Sequence, residues 1–281
     1  MTEQKYLLYV AYGSDELFYQ GIIISLLSAI YVCPKQHMPI VVVISQRPEL
    51  FNDYPVVNIP LTENMFNEWS LNGQYHYRIK NRALAYALSY LNIGEQDKIL
   101  MLDADAYFVK SFLSLYEKID NNHTVMFLNE GPITGKHYQE YLEHYYGKSL
   151  TLANGEHYQL ELQARMWGSL MIGINGGHGY LIEQADQLMK AFEAIAPVRT
   201  IEQFALAESL EKETTIVEGK RYIKHYSHRG GKAYARLKIQ QFLALHQHKP
   251  LAQQLNHYRQ LNLKRDFISF LKQKLAIRSS I

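Results

Sequence analysis

A single cysteine, Cys33, stands in 281 residues. It excludes a disulfide framework within one chain and a cysteine-rich zinc site. Long hydrophobic runs are also missing. The longest, around Gly21 to Cys33, is interrupted by Ser25 and Ser28 and is too short to span a bilayer, so it reads as a buried helix. The opening Met1-Thr2-Glu3-Gln4-Lys5 places an acid before any apolar run, a poor start for a secretory signal. The expectation is a cytoplasmic protein, with any membrane contact peripheral at the inner face. No internal repeat and no low-complexity segment is present.

What is there describes a folded chain. Apolar residues make up 47% and charged ones 20%, which excludes a disordered or coiled-coil protein. The length suits one large domain or two small ones and can bury a sizeable core. The net charge of +2 is unevenly placed. From Arg236 to Ile281, nine Lys or Arg accompany one acid, Asp266, a balance of +8; the rest carries 20 basic and 26 acidic residues, a balance of −6. A mildly acidic body with a basic tail points to an anionic surface as the tail's partner. No nucleic-acid partner is expected.

Strand and helix patterns alternate. Lys5 to Ala11, Pro39 to Ser45, the weaker Val56 to Ile59, and Lys98 to Leu102 read as strands, mostly buried on both faces. Gly13-Ser14-Asp15-Glu16 supplies turn and N-cap chemistry for a helix to about Tyr31. Tyr77 to Leu91, Leu181 to Ile195 and Ile201 to Glu211 read as helices. Val125 to Leu128 and Ser169 to Ile174 are further strand candidates. Tyr138, Tyr141 and Tyr145 suit the inner face of a short helix; a surface for acceptor stacking is the other reading. The alternation predicts an α/β fold with a mixed, mostly parallel sheet flanked by helices.

The most informative segment is Lys98-Ile-Leu-Met-Leu-Asp103-Ala104-Asp105. On a strand, residues two apart share a face, so both carboxylates are expected to point one way at the strand's carboxyl end, where open α/β sheets bind ligands. Paired carboxylates repel, and a divalent cation relieves them; oxygen ligands select Mg²⁺ or Mn²⁺, which bridges to diphosphate. Haloacid-dehalogenase-type phosphatases also place Asp-x-Asp after an apolar strand. Theirs lies near the chain start with Thr or Val two residues on, where this chain has Tyr107.

With these residues in place, the sequence resembles GT-A nucleotide-sugar glycosyltransferases, closest to the family 8 group. Tyr9-Val-Ala11-Tyr-Gly13-Ser-Asp15 with Ser25-Leu-Leu-Ser28 resembles the family's first strand, nucleotide loop and first helix. Tyr77-Arg78-Ile-Lys80, Leu102-Asp103-Ala-Asp105, Trp167-Gly168-Ser169 through Gly173, Glu202-Gln203, and His225-Tyr226 with Gly230-Gly231-Lys232 follow in family order. Together they cover about four fifths of the chain. Two departures stand out. Gly168 replaces the family's Asn, and Ala233-Tyr234 replaces Pro-Trp after the late Lys.

The resemblance implies a Rossmann-like GT-A fold and a metal-dependent hexosyltransferase that retains anomeric configuration. It implies a UDP-linked sugar donor and a hydroxyl on a glycan or lipid-linked acceptor, in bacterial surface-glycan synthesis. Asp103 and Asp105 would hold Mn²⁺ or Mg²⁺, with His225, or as second choice His228, as a third ligand. Ala11, Gly13, Asp15, Arg78, Lys80 and Asp103 would contact the nucleotide or its phosphates. Gln203 would stand near the anomeric carbon, Glu202 on sugar hydroxyls and Lys232 on the leaving diphosphate. Helix-surface, capping or loop roles are the plain alternatives for Arg78, Lys80, Asp15, Glu202 and Lys232. Two rival functions are a non-catalytic nucleotide-sugar-binding protein and a sugar-1-phosphate nucleotidyltransferase. The second calls for a Gly-rich, Arg-containing loop after the first strand, and Tyr12-Gly13-Ser14-Asp15 is not that loop.

The catalytic domain is expected over residues 1–235, with a basic helical C-terminal extension over 236–281. In the extension Phe267, Phe270, Leu271 and Leu275 fall at helical spacing beside Lys264, Lys272, Lys274 and Arg278. That pattern suits either an amphipathic helix on an anionic membrane or a helix docked on the body.

Overall fold

A computed structural model describes residues 3–226 and 229–264. The strands are β1 (Lys5–Ala11), β2 (Ile40–Ser45), β3 (Val57–Pro60), β4 (Lys98–Leu102), β5 (Ala106–Phe108), β6 (His123–Pro132), β7 (Ser149–Thr151), β8 (His157–Gln159), β9 (Arg165–Asn175), β10 (Thr215–Glu218) and β11 (Ile223–His225). The helices are α1 (Glu16–Val32), α2 (Glu63–Trp69), α3 (Arg78–Tyr90), α4 (Leu113–Tyr116), α5 (Gln139–Tyr145), α6 (Gly179–Glu193), α7 (Ile201–Glu211), α8 (Arg229–His246) and α9 (Leu251–Tyr258).

Seven strands form one sheet in the order β10-β6-β9-β4-β1-β2-β3. Strands β4, β1, β2 and β3 run parallel, as β6 and β10 do to each other, while β9 is antiparallel to β4 and β6. The sheet is therefore mixed and mostly parallel, with helices on both faces. The β-branched runs alternate as a doubly covered sheet requires. Leu7, Tyr9, Val41, Val43, Leu100 and Leu102 enter one core with α1, α8 and α9. Tyr6, Leu8, Val42, Ile44, Ile99 and Met101 enter the other with α3, α6 and α7. Tyr141 and Tyr145, the inner face of α5, form a third cluster with Phe192 and Phe204. Tyr138 stands just before that helix, and its hydroxyl donates to Glu130 Oε2 at 3.0 Å.

The longest apolar run is α1. Asp15 caps it, accepting from Leu17 N at 3.0 Å. The helix is buried nearly all round, so its two serines need partners inside the protein. Ser25 donates to the Tyr9 hydroxyl at 3.1 Å, and Ser28 Oγ accepts from Phe108 N at 2.9 Å. Gly21 is where α1 passes closest to the segment after β4. A Cβ there would lie 2.3 Å from the Ala104 carbonyl oxygen and 2.9 Å from the Tyr226 hydroxyl.

The described part of the C-terminal extension is docked. α8 runs through the 235/236 boundary without a break, and Ala235, Ile239, Phe242, Leu243, Tyr258 and Leu263 are buried in the α1 core. Each fully buried Leu or Phe contributes about 1.5–3 kcal/mol, which favours the body over solvent for this face. Leu237 and Leu245 point outward, at 51% and 67% exposure. The pattern at Phe267, Phe270, Leu271 and Leu275 lies outside the described residues. No helix among those described is long and apolar enough to cross a membrane.

Candidate active site

The apolar strand β4 ends at Leu102, and the two acids leave it in a turn. Ala106 N donates to Asp103 O at 3.2 Å to close that turn. The same-face rule for strands therefore does not bring these carboxylates together; the turn does. Its two flanks are pinned by neighbours distant in sequence. Asp103 N donates to Leu170 O on β9 at 3.0 Å, and Tyr226 N donates to Asp105 O at 3.2 Å.

Lys80, in the first turn of α3, is the cation at the centre. Its Nζ lies 3.3 Å from Asp103 Oδ2, 2.8 Å from Ser169 Oγ and 3.1 Å from Ser169 O. Burial pushes Asp103 above the usual carboxylate range; Lys80 pulls it back and the Asp105 charge pushes it further up, with burial prevailing. Asp103 nevertheless keeps 28% of its side-chain surface open. Asp105 is raised by burial too, against the pull of Lys232, Lys80 and Arg236. Lys232 and Arg236 are one turn apart on α8, so a single helix presents both cations to Asp105. Arg236 Nη2 also lies 3.2 Å from Asp15 Oδ2. Asp15 is thus both the cap of α1 and an ion-pair partner of α8.

Ser169 extends the network. Its N–H and Oγ–H donate to Gln203 Oε1 at 3.3 and 3.2 Å, and Gln203 Nε2 donates to Glu130 Oε2 at 3.4 Å. Gly168 leaves room for this arrangement, since a Cβ there would meet Glu130 Oε1 at 2.9 Å. Glu202, expected to meet sugar hydroxyls, is instead buried, and its carboxylate accepts from the Tyr75 hydroxyl. Burial raises it, and Lys80 and Tyr75 pull it down. Ala11 ends β1, its carbonyl accepting from Gln46 N at 3.1 Å, and Gly13 N donates to Gln46 Oε1 at 2.7 Å.

Arg78 departs from the expected phosphate contact. It is buried, with its Nε and Nη2 on the two Asp186 carboxylate oxygens at 2.5 and 2.8 Å and its Nη1 on the Glu68 and Trp69 carbonyls. Four of its five N–H donors are occupied within the protein, and the side chain is buried. Among the described residues no three His, Cys, Asp or Glu side chains stand close enough to hold a metal. His225 lies on β11 opposite Ala106 of β5, the residue after Asp105, with its ring edge-on to Phe127 at 5.5 Å. His228 lies outside the described residues. The donor set at hand is the two carboxylates. Both are raised by burial, which a hard divalent cation with oxygen preference would relieve.

Of the expected residues, the site gathers Asp103, Asp105, Lys80, Lys232 and Gln203, with Asp15 joined through Arg236. Sequence reasoning missed Ser169 as a contact, and Glu130, Tyr75 and Arg236 altogether. Only the position of Arg236, four residues after Lys232, offered a signal.

No protein-family model and no curated protein matches the chain. Solved structures do. The galactosyltransferase LgtC, in complex with donor and acceptor sugar analogues, overlaps with a TM-score of 0.51 at 13% identity, covering 84% of this chain and 94% of LgtC. The fold is that of the GT-A glycosyltransferases. Mouse xyloside xylosyltransferase 1 overlaps at 0.47 with 11% identity, over 76% of this chain and 84% of that one. The glycosyltransferase GlyE of Streptococcus pneumoniae overlaps at 0.45 with 12% identity, over 87% of this chain, which spans 51% of GlyE. In this GT-A frame the acid turn follows β4 at the centre of the sheet, with β1 on one side and β9 on the other.

Proposed function

We propose that the chain transfers a hexose from a UDP-linked donor to a hydroxyl acceptor, with retention, in the synthesis of a bacterial surface glycan. One observation carries this reading: a half-buried pair of acids at the end of a central strand, with Lys80, Lys232 and Arg236 within charge reach. Asp103 and Asp105 would hold Mn²⁺ or Mg²⁺, whose charge stabilises a departing diphosphate. Lys232 adds a second positive charge for the same oxygens, where fixed electrostatics give the largest catalytic benefit. Arg236 holds Asp15 and ties the nucleotide loop to α8. Gln203, fixed between Ser169 and Glu130, offers its amide to the reacting sugar. Lys80 keeps the acid pair oriented, and Glu202 and Tyr75 support the start of α7.

The test is thermal stability of the full chain with UDP-sugars, with and without Mn²⁺, alongside donor hydrolysis. A ligand that binds only the native state raises its melting temperature. Stabilisation is expected to need donor and cation together, and to disappear in Asp103→Ala and Asp105→Ala, which remain folded because a buried charge is removed. Cation-dependent stabilisation kept by both variants would overturn the site assignment. Binding without any hydrolysis or transfer would favour the non-catalytic reading.

A further inference from the structure

A cavity of about 430 Å³ opens beside the acid turn, on the α1–α8–α9 face. Its floor is aromatic and apolar: Tyr107, Phe127, His225 and Tyr226, with Ile223 and Leu263. The Tyr107 and Tyr226 rings stack with centroids 6.5 Å apart. Three cations, Lys220, Lys224 and Lys264, are exposed at its rim, and among the described residues no carboxylate lines it. A second cavity, of about 460 Å³ at the far end of α7, is the reverse: Glu156, Glu161, Glu208 and Glu211 line it, with Lys212 as its one lysine among the described residues. The sign of the basic cavity is thus a local property, while the chain outside the tail is acidic.

Its position bears on function. Phe127 lies on β6; Ile223, His225 and Tyr226 follow β10, Tyr107 leaves the acid turn, and Leu263 follows α9. In the sheet order these strands lie on the opposite side of β4 from β1 and β2, whose ends carry Gly13, Asp15 and Gln46. The floor touches the acid turn directly: the Tyr226 hydroxyl donates to the Ala104 carbonyl at 3.2 Å, and Ala104 separates the two aspartates. A molecule seated here stands next to the acid pair without occupying the nucleotide side.

Resting on the glycosyltransferase reading, we propose that this cavity anchors the acceptor and that the acceptor carries a phosphate group. The three ammonium groups match phosphate oxygens, and the aromatic floor takes the apolar or ring-bearing part next to it. A neutral glycan offers these three charges no counterpart of its own.

The experiment is calorimetric titration of the full chain with octyl phosphate, with a hexose 6-phosphate, and with octyl glucoside as a neutral amphiphile. At least one phosphate is expected to bind saturably and more weakly as salt rises, and octyl glucoside not to bind in the same range. Affinity should fall about tenfold for each charge-assisted contact removed, through Lys220→Ala, Lys224→Ala and Lys264→Ala. Arginine at these positions should retain most of it. Tighter binding of octyl phosphate assigns a lipid-borne phosphate, and tighter binding of the hexose phosphate a soluble one; either supports the site. Absence of saturable binding by both phosphates, or a triple alanine variant that binds as the parent does, overturns the proposal. Donor stabilisation measured in parallel separates the two readings. Failure there with phosphate binding intact counts against UDP-sugar transfer, and the converse counts against this cavity alone.

Discussion

Two cation–carboxylate pairs start from the same turn of α3 and end differently. Arg78 and Lys80 are two residues apart, and both resemble the phosphate-binding cations of a nucleotide site. Arg78 meets Asp186 through two hydrogen bonds and is completed by two backbone carbonyls. Burial pushes Asp186 up, but Arg78 and Lys190 prevail and hold it below the usual carboxylate range. Lys80 meets Asp103 through one longer contact, shares its charge with Asp105 and Glu202, and leaves all three above the usual range. The first pair is a finished structural unit. The second is shared: Lys80 serves Asp103, Asp105 and Glu202, Lys232 and Arg236 add their charge at Asp105, and burial still prevails at all three carboxyls.

The largest expected effect breaks the finished pair. Arg78→Ala should cost about 3 kcal/mol of stability in chemical denaturation, since buried Asp186 loses both bonds of its main partner and keeps only Lys190, at 3.0 Å, as a close ion pair. A loss under 1 kcal/mol, typical of surface pairs, would remove the distinction between the two. Next, Lys232→Ala tests the unfinished site. Turnover should fall about 10²–10³-fold, with donor affinity changed much less, because the charge matters most as the diphosphate departs. An equal loss in affinity and turnover would make Lys232 a ground-state binder.

The smallest effect is the sharpest test. A carboxylate with a lowered folded pKa contributes stability above its unfolded pKa and loses it as pH falls through the folded value. One with a raised pKa costs stability as pH rises from the unfolded value through the folded one. In metal-free buffer Asp186→Asn should therefore lower the melting temperature at neutral pH, and Asp103→Asn should raise it. The Asp103 difference should shrink as pH falls toward about 4, the ordinary carboxylate value, and the Asp186 difference only as pH falls below it. Melting curves across that range check the signs; equal signs would refute the comparison.

Much of this was legible in the sequence where local chemistry sets the outcome. The bounds of β1, β4 and α7 follow from apolar runs and their flanking turns, and Asp15 was readable as a cap. Short elements were not legible. β5 and β11 are three residues each and exist because they pair with each other across more than a hundred positions. The acid pair could be recognised by residue type, yet the geometry that joins it is a turn closed against β9 and Tyr226.

The sequence by itself determined the doubly covered sheet, because a strand buried on both faces must be apolar at successive positions, and Lys5–Ala11, Ile40–Ser45 and Lys98–Leu102 are such continuous runs. It also determined that Asp103 and Asp105 end the central strand. Only the tertiary structure decided which cation finishes a pair and which stays shared, that α8 brings Lys232 and Arg236 to Asp105, and that His225 sits on β11 against Phe127. Those outcomes depend on distances between segments far apart in the chain, and neither periodicity nor residue type carries such distances.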